Sequence, residues 1–334
     1  MSFQSAQENS AIFAPQPISE IIRSLTPSRK DVLESLKLIL YVVIGGIILI
    51  PITSRLPLLG WDWYFFFTAH HPVDNINSPL SPFLPFTKYL LMPLTWMPWR
   101  TSLALLAGLT YMTIALGTWK SGGKYGSIFL ALMTPVPFFT LWVGHPEGLA
   151  LLGMLTNIVP LAFIKPQLSF WAFFRSKALA FWVLFCLVLV FVIWPNWLQV
   201  PTGMTWDHEA SFGWQALGWP LLIVGALFLA GAGNDPWRLM AAGCFLTPDI
   251  MPYHMVVLIP AIGRVKGLWK ITVWISAWLL LIGMGIGGNF RYINLLFPIS
   301  VYVALHTQAG YKDTILSHIE AVKSIFRILV RNNA

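Results

Sequence analysis

The chain has 334 residues, of which 57% are hydrophobic, 15% aromatic and only 10% charged, whereas a soluble domain carries about a quarter charged residues. Each bilayer-crossing helix needs about 20 apolar residues, so the composition fits one polytopic helix bundle and excludes a sizeable soluble domain. The 21 Lys and Arg against 13 Asp and Glu give a net charge of +8, which in such a bundle reports orientation and contact with anionic lipid, so no nucleic-acid partner is expected.

Residues 1–36 are polar and lack the early apolar core of a signal peptide, so they are expected to stay as a cytoplasmic tail. In that tail Ser28-Arg29-Lys30-Asp31 reads as a capping box that starts an amphipathic helix. The integral membrane domain then covers 37–309, with a first span at 38–53. The segment 54–100 is external and rich in rings such as Trp61, Trp63, Tyr64, Trp96 and Trp99; it predicts two short helices lying in the headgroup layer.

Seven more spans are predicted at 101–119, 127–143, 148–164, 178–198, 217–233, 271–288 and 292–309. Residues 239–263 are interrupted at Thr247-Pro248-Asp249-Ile250-Met251-Pro252 and form either one broken span or a re-entrant hairpin. The positive-inside rule favours the hairpin, because it leaves only Arg55, Lys88, Arg100 and Arg291 of the 21 basic residues on the outer face. A full crossing would divide the basic residues almost evenly. The expected fold is therefore all-α, with about eight full spans and both termini cytoplasmic. Residues 310–334 alternate Ile315, Ile319, Val322 and Phe326 with Lys312, Lys323, Arg327 and Arg331, the pattern of a basic amphipathic helix on the inner leaflet.

Few ionisable groups remain on the outer side, and they gather in three places. Asp62 stands in the aromatic stretch after the first span, followed by His70, His71 and Lys88; a carboxylate there can act as a general base, or it caps the helix beginning at Trp63. His145 and Glu147, in Gly144-His145-Pro146-Glu147-Gly148, place an imidazole and an acid at the mouth of the bundle, a pattern that also suits an ordinary helix start. Trp206-Asp207-His208-Glu209 reads as a solvated loop rather than a cation site. Inside the bundle, Asp249 and His254 flank the proline break, either as functional groups or as partners for the backbone freed there. Cys186 and Cys244 sit in apolar runs without a partner and read as packing residues.

The order of these pieces, with Pro85-Phe86-Thr87-Lys88-Tyr89-Leu90, Gly144-His145-Pro146-Glu147-Gly148, Ile164-Lys165-Pro166-Gln167-Leu168 and Thr247-Pro248-Asp249-Ile250-Met251-Pro252-Tyr253-His254, resembles the GT-C glycosyltransferases. Within them the chain is most similar to glycosyltransferase family 87, the prokaryotic mannosyltransferases. The resemblance spans about residues 36–305. It implies a multi-pass protein of the bacterial plasma membrane that moves a sugar, mannose in the family, from a polyprenyl phosphate to a lipid-linked or glycan acceptor on the outer face. Asp62 would be the base of an inverting displacement. Arg291 and His145, then Glu147, Lys88, His70, His71 and Arg55, are the candidates for holding the donor's phosphate or sugar. No cofactor and no metal are expected. The chain departs from the family in its short length and in having His145 and Glu147 where amide side chains are usual, so a non-catalytic accessory subunit is the second reading. A transporter is the third.

Overall fold

The computed structural model describes residues 26–56, 59–64, 85–193, 218, 220–247, 250–286 and 288–309. Every regular element among them is helical. The expected capping box is formed: Ser28 Oγ accepts from the Asp31 amide at 3.1 Å and the Asp31 carboxylate accepts from Ser28, opening α1 (Arg29–Thr53). Two short helices follow, α2 (Trp61–Trp63) and α3 (Pro85–Thr95), and then the long α4 (Trp99–Lys120).

α1 and α4 run antiparallel and define two ends of the bundle. At one end Thr53 Oγ1 donates to Ala104 O at 2.9 Å, and Trp63 Nε1 donates to Ser102 at 2.8 Å. At the other end Ser35 Oγ donates to Thr156 O at 2.9 Å, and Lys120 Nζ to Leu155 O at 2.6 Å. These are called the Asp62 end and the Lys120 end.

From the Lys120 end the chain climbs again through α5 (Tyr125–Leu132) and α6 (Pro135–Val143), which are bent by 46° where Pro135 denies α5 a continuing donor. Gly144 stops α6 in the left-handed region, at φ 83. A side chain there would be strained and would drive a Cβ to 2.6 Å from that of Trp63.

The expected span at 148–164 is corrected here. α7 (Glu147–Thr156) ends after ten residues at Asn157, held at φ 61, where the left-handed conformation releases the carbonyls that a helix would use. Arg175 reaches Met154 O at 3.4 Å and also bonds Asn157, and Lys120 takes Leu155 O, so two cations cover the negative end of α7. The chain then turns back up through α8 (Val159–Ala162), so close that a Cβ on Gly153 would lie 2.3 Å from the Ala162 nitrogen. After Lys165 it descends through α9 (Pro166–Ser169) and the 3-10 segment Phe170–Arg175.

α10 (Lys177–Ile193), α11 (Pro220–Ala232), α12 (Pro236–Leu246), α13 (Gly267–Ile286) and α14 (Leu296–Gln308) complete the bundle. α12 and the 3-10 segment Pro252–Gly263 form a hairpin whose two ends meet: Arg264 pairs with Asp235 at 2.9 Å, beside Arg238 at 3.5 Å. Among the described residues two helices, α1 and α4, are long and apolar enough to cross a membrane alone, or three spans if α5 and α6 count as one. That is fewer than the eight expected: within the described residues Asn157 cuts the run 148–164, and the run 292–309 opens as a 3-10 segment before α14. Residues 1–25, 65–84, 194–217 and 310–334 lie outside the description, and with them most of the expected tail, the aromatic stretch after Tyr64 and the expected C-terminal helix.

Candidate functional site

Burial of ionisable side chains in an apolar bundle costs several kcal/mol unless they are paired, so the buried ones mark the site. Glu147 and His145 are almost fully buried. Glu147 opens α7 without a side-chain cap, and Gly148 beside it packs on Thr110, about halfway along α4. Glu147 therefore lies about halfway through the bundle, about 15 Å from the Lys120 end at the rise of an α-helix, while His145 reaches from it to Asp62.

His145 bridges two carboxylates. Its Nε2 contacts Asp62 Oδ2, and its Nδ1 faces Glu147 Oε1 at 3.0 Å. The backbone sets up this contact, since the Gly60 amide donates to Trp142 O at 2.8 Å and docks the Asp62 turn against the end of α6. Each carboxylate–imidazole contact needs one proton, so the three groups share two: either an imidazolium between two carboxylates, or a neutral ring with one carboxyl protonated. Asp62, with 26% of its side chain exposed, is the one of the three that faces outward. It is not confined to capping α2: its side chain points to His145.

His254 comes to the same cluster from the hairpin. Its Nδ1 accepts the Met251 amide at 3.0 Å, which is the backbone role expected at the proline break. Its Nε2 faces Glu147 Oε1 at 3.7 Å. Tyr253 meets both imidazoles edge-on, with ring centroids 4.4 Å from His145 and 4.5 Å from His254.

Lys165 is the residue that the sequence reading missed. Placed there among the cytoplasmic residues, it is instead 6% exposed, lies within electrostatic reach of His254, and is the sole Lys or Arg among the described residues to be buried so far. The signal was present in the chain: Lys165 stands alone in the apolar run 158–170, next to Pro166, without a neighbouring charge.

Other predicted residues are placed differently. Arg55 is exposed at the Asp62 end. Lys88 lies on α3 and Arg291 on the 3-10 segment Gly288–Leu295, while His70, His71, His208 and Asp249 lie outside the described residues. Arg100, not among the first choices, holds its guanidinium 5.4 Å over the Trp99 ring, and Tyr64 packs on that same ring. Cys244 is buried and Cys186 half-buried, both as free thiols.

His145, Glu147 and His254 bring three possible metal-ligand atoms within 4.8 Å of one another. The donor set does not fit a metal. Because His254 Nδ1 accepts a backbone N–H, the neutral ring carries its proton on Nε2, and the nitrogen that faces Glu147 has no lone pair to give. Comparison of the chain with protein-family models, curated proteins and solved structures finds no match.

Proposed function

We propose that the chain is a membrane glycosyltransferase that moves a sugar, mannose by the family resemblance, from a polyprenyl phosphate to a lipid-linked or glycan acceptor, with Asp62 as general base. The observation that carries the reading is the partly exposed Asp62 carboxylate held from behind by the buried His145 and Glu147. A base needs one oxygen free for the substrate and the other fixed. Here Oδ2 is engaged by His145, and Oδ1 is available to an acceptor hydroxyl.

In this mechanism Asp62 takes the hydroxyl proton as the acceptor oxygen attacks the anomeric carbon. The bond from that carbon to the phosphate oxygen breaks, the phosphate leaves with the electron pair, and the configuration inverts. Arg55 and Arg100 at the Asp62 end, with Lys88 and Arg291 carried by α3 and by the 3-10 segment before α14, are the cations available to the departing phosphate.

For the membrane arrangement we take α1, α4, the α5–α6 pair, α10, α11, α13 and α14 as passes, with the ten-residue α7 as the shorter return leg from Gly144 to the Lys120 end. The α8–α9 excursion and the α12 hairpin return to the side they leave. Lys120, Lys124, Arg175, Lys177, Arg238, Arg264 and Lys266 gather at the Lys120 end, which supports placing that end in the cytoplasm. A non-catalytic accessory subunit would have an apolar setting around Asp62, and the His145 contact speaks against it. A transporter would need polar groups to continue past Glu147, but beyond it Thr113, Thr118 and Thr156 donate to their own helices and Ile114, Leu151, Met154 and Leu155 pack the rest of the α4–α7 region.

The test is incubation of the purified protein with radiolabelled polyprenyl-phosphate mannose and a membrane-lipid extract. Asp62→Asn should lower transfer by roughly 100- to 10,000-fold with folding intact. If neither protein transfers sugar from any of several donors, the accessory reading takes its place.

A further inference from the structure

Two atoms at the centre of the site are left over by the contacts described so far. Glu147 Oε2 and His254 Nε2 are buried and have no hydrogen-bond partner among the described residues. The His254 tautomer makes Nε2 a donor and Glu147 Oε2 is an acceptor, and Nε2 stands only 3.7 Å from the other oxygen of that carboxylate. An orphaned donor beside an orphaned acceptor is the complement of a group that both accepts and donates. A phosphate offers acceptors only and would face the Glu147 carboxylate, and a metal finds no lone pair on Nε2. A hydroxyl accepts from His254 and donates to Glu147 without adding a charge to the buried cluster.

We infer that Glu147 and His254 form a hydroxyl-recognition subsite that reads one ring hydroxyl of the donor sugar, with the phosphate held apart by the cations at the Asp62 end. Tyr253, partly exposed and edge-on to both imidazoles, offers a ring face or edge next to this subsite. The inference rests on the glycosyltransferase reading for the kind of ligand, and its test is a binding measurement that does not depend on turnover.

The test is calorimetric titration of the purified protein in detergent with citronellyl-phosphate mannose and its 2-, 3-, 4- and 6-deoxy analogues. Loss of one hydroxyl strands both buried groups, so one analogue should bind about 10- to 100-fold more weakly, with the others near the parent. In His254→Phe that selectivity should disappear while the other affinities hold; Glu147→Leu serves as the second variant, and thermal unfolding checks that each is folded. In Asp62→Asn the selectivity should remain while transfer is lost. Equal binding of all five ligands by the wild type means that the pair holds an internal water only, and the inference falls. It falls equally if both variants keep the selectivity, or if the wild type binds none of the five. Selective binding without transfer leaves the subsite standing and removes the enzymatic reading.

Discussion

His145 is the residue on which the site turns, because one ring joins an outward-facing carboxylate to a buried one. Replacing it by Gln leaves Glu147 and Asp62 without the shared protons, and removing one partner of a buried charged pair costs about 3 to 5 kcal/mol. The double variant His145→Gln with Glu147→Gln removes the second carboxylate as well and should unfold at a higher temperature than His145→Gln alone. Thermal unfolding of the set in detergent checks this; strictly additive losses would mean that the two residues are not coupled. The Asp62 and His145–Glu147 positions were readable as candidates from their isolation in an apolar chain, but nothing in their spacing of 83 residues joined them. Lys165 went unread because the positive-inside rule counts basic residues by the loop they are assigned to, and a hairpin that turns inside the bundle defeats that count.

At the scale of elements, the short α7 decides the depth of the site. It can be short only because Asn157 accepts the left-handed conformation and Gly153 lets α8 return against it. Asn157→Val should lower stability by roughly 1 to 2 kcal/mol, since a β-branched residue resists that conformation, whereas Asn157→Gly should be close to neutral. Gly153→Ala places a methyl group against the backbone of Ala162 and should destabilise by roughly 1 to 3 kcal/mol. Unfolding temperatures of these three variants test the α7–α8 hairpin. If Gly153→Ala is as stable as wild type, α8 does not return against α7 as described. The second hairpin is closed by Asp235, which accepts from the Trp237 amide at 3.0 Å and pairs with Arg264. Asp235→Ala should cost about 1 to 2 kcal/mol through the lost cap alone.

At the scale of the whole molecule, the prediction concerns sidedness. In a background with Cys186 and Cys244 replaced by Ala, a cysteine at the exposed Tyr125 and one at the exposed Ser54 should be modified by an impermeant thiol reagent from opposite sides of the membrane. Lys165→Cys should react from neither side. Labelling of Tyr125→Cys and Ser54→Cys from the same side would overturn the arrangement of α1, α4 and α5, and rapid labelling of Lys165→Cys from the Tyr125 side would restore Lys165 to a loop.

Composition and periodicity by themselves determined that the chain is helical, apolar and net basic, because these properties depend only on which residues occur and how often polar ones interrupt the run. The capping box at Ser28 and the break at 247–252 were local for the same reason. Which helices stop short, and which residues then meet, was decided only in three dimensions. A ten-residue α7 and a returning hairpin depend on left-handed residues and close backbone contacts that apolar periodicity does not register. Those contacts bring the buried His145, Glu147, Lys165 and His254 and the partly exposed Asp62 together from four separate stretches, where low polarity makes each polar contact count.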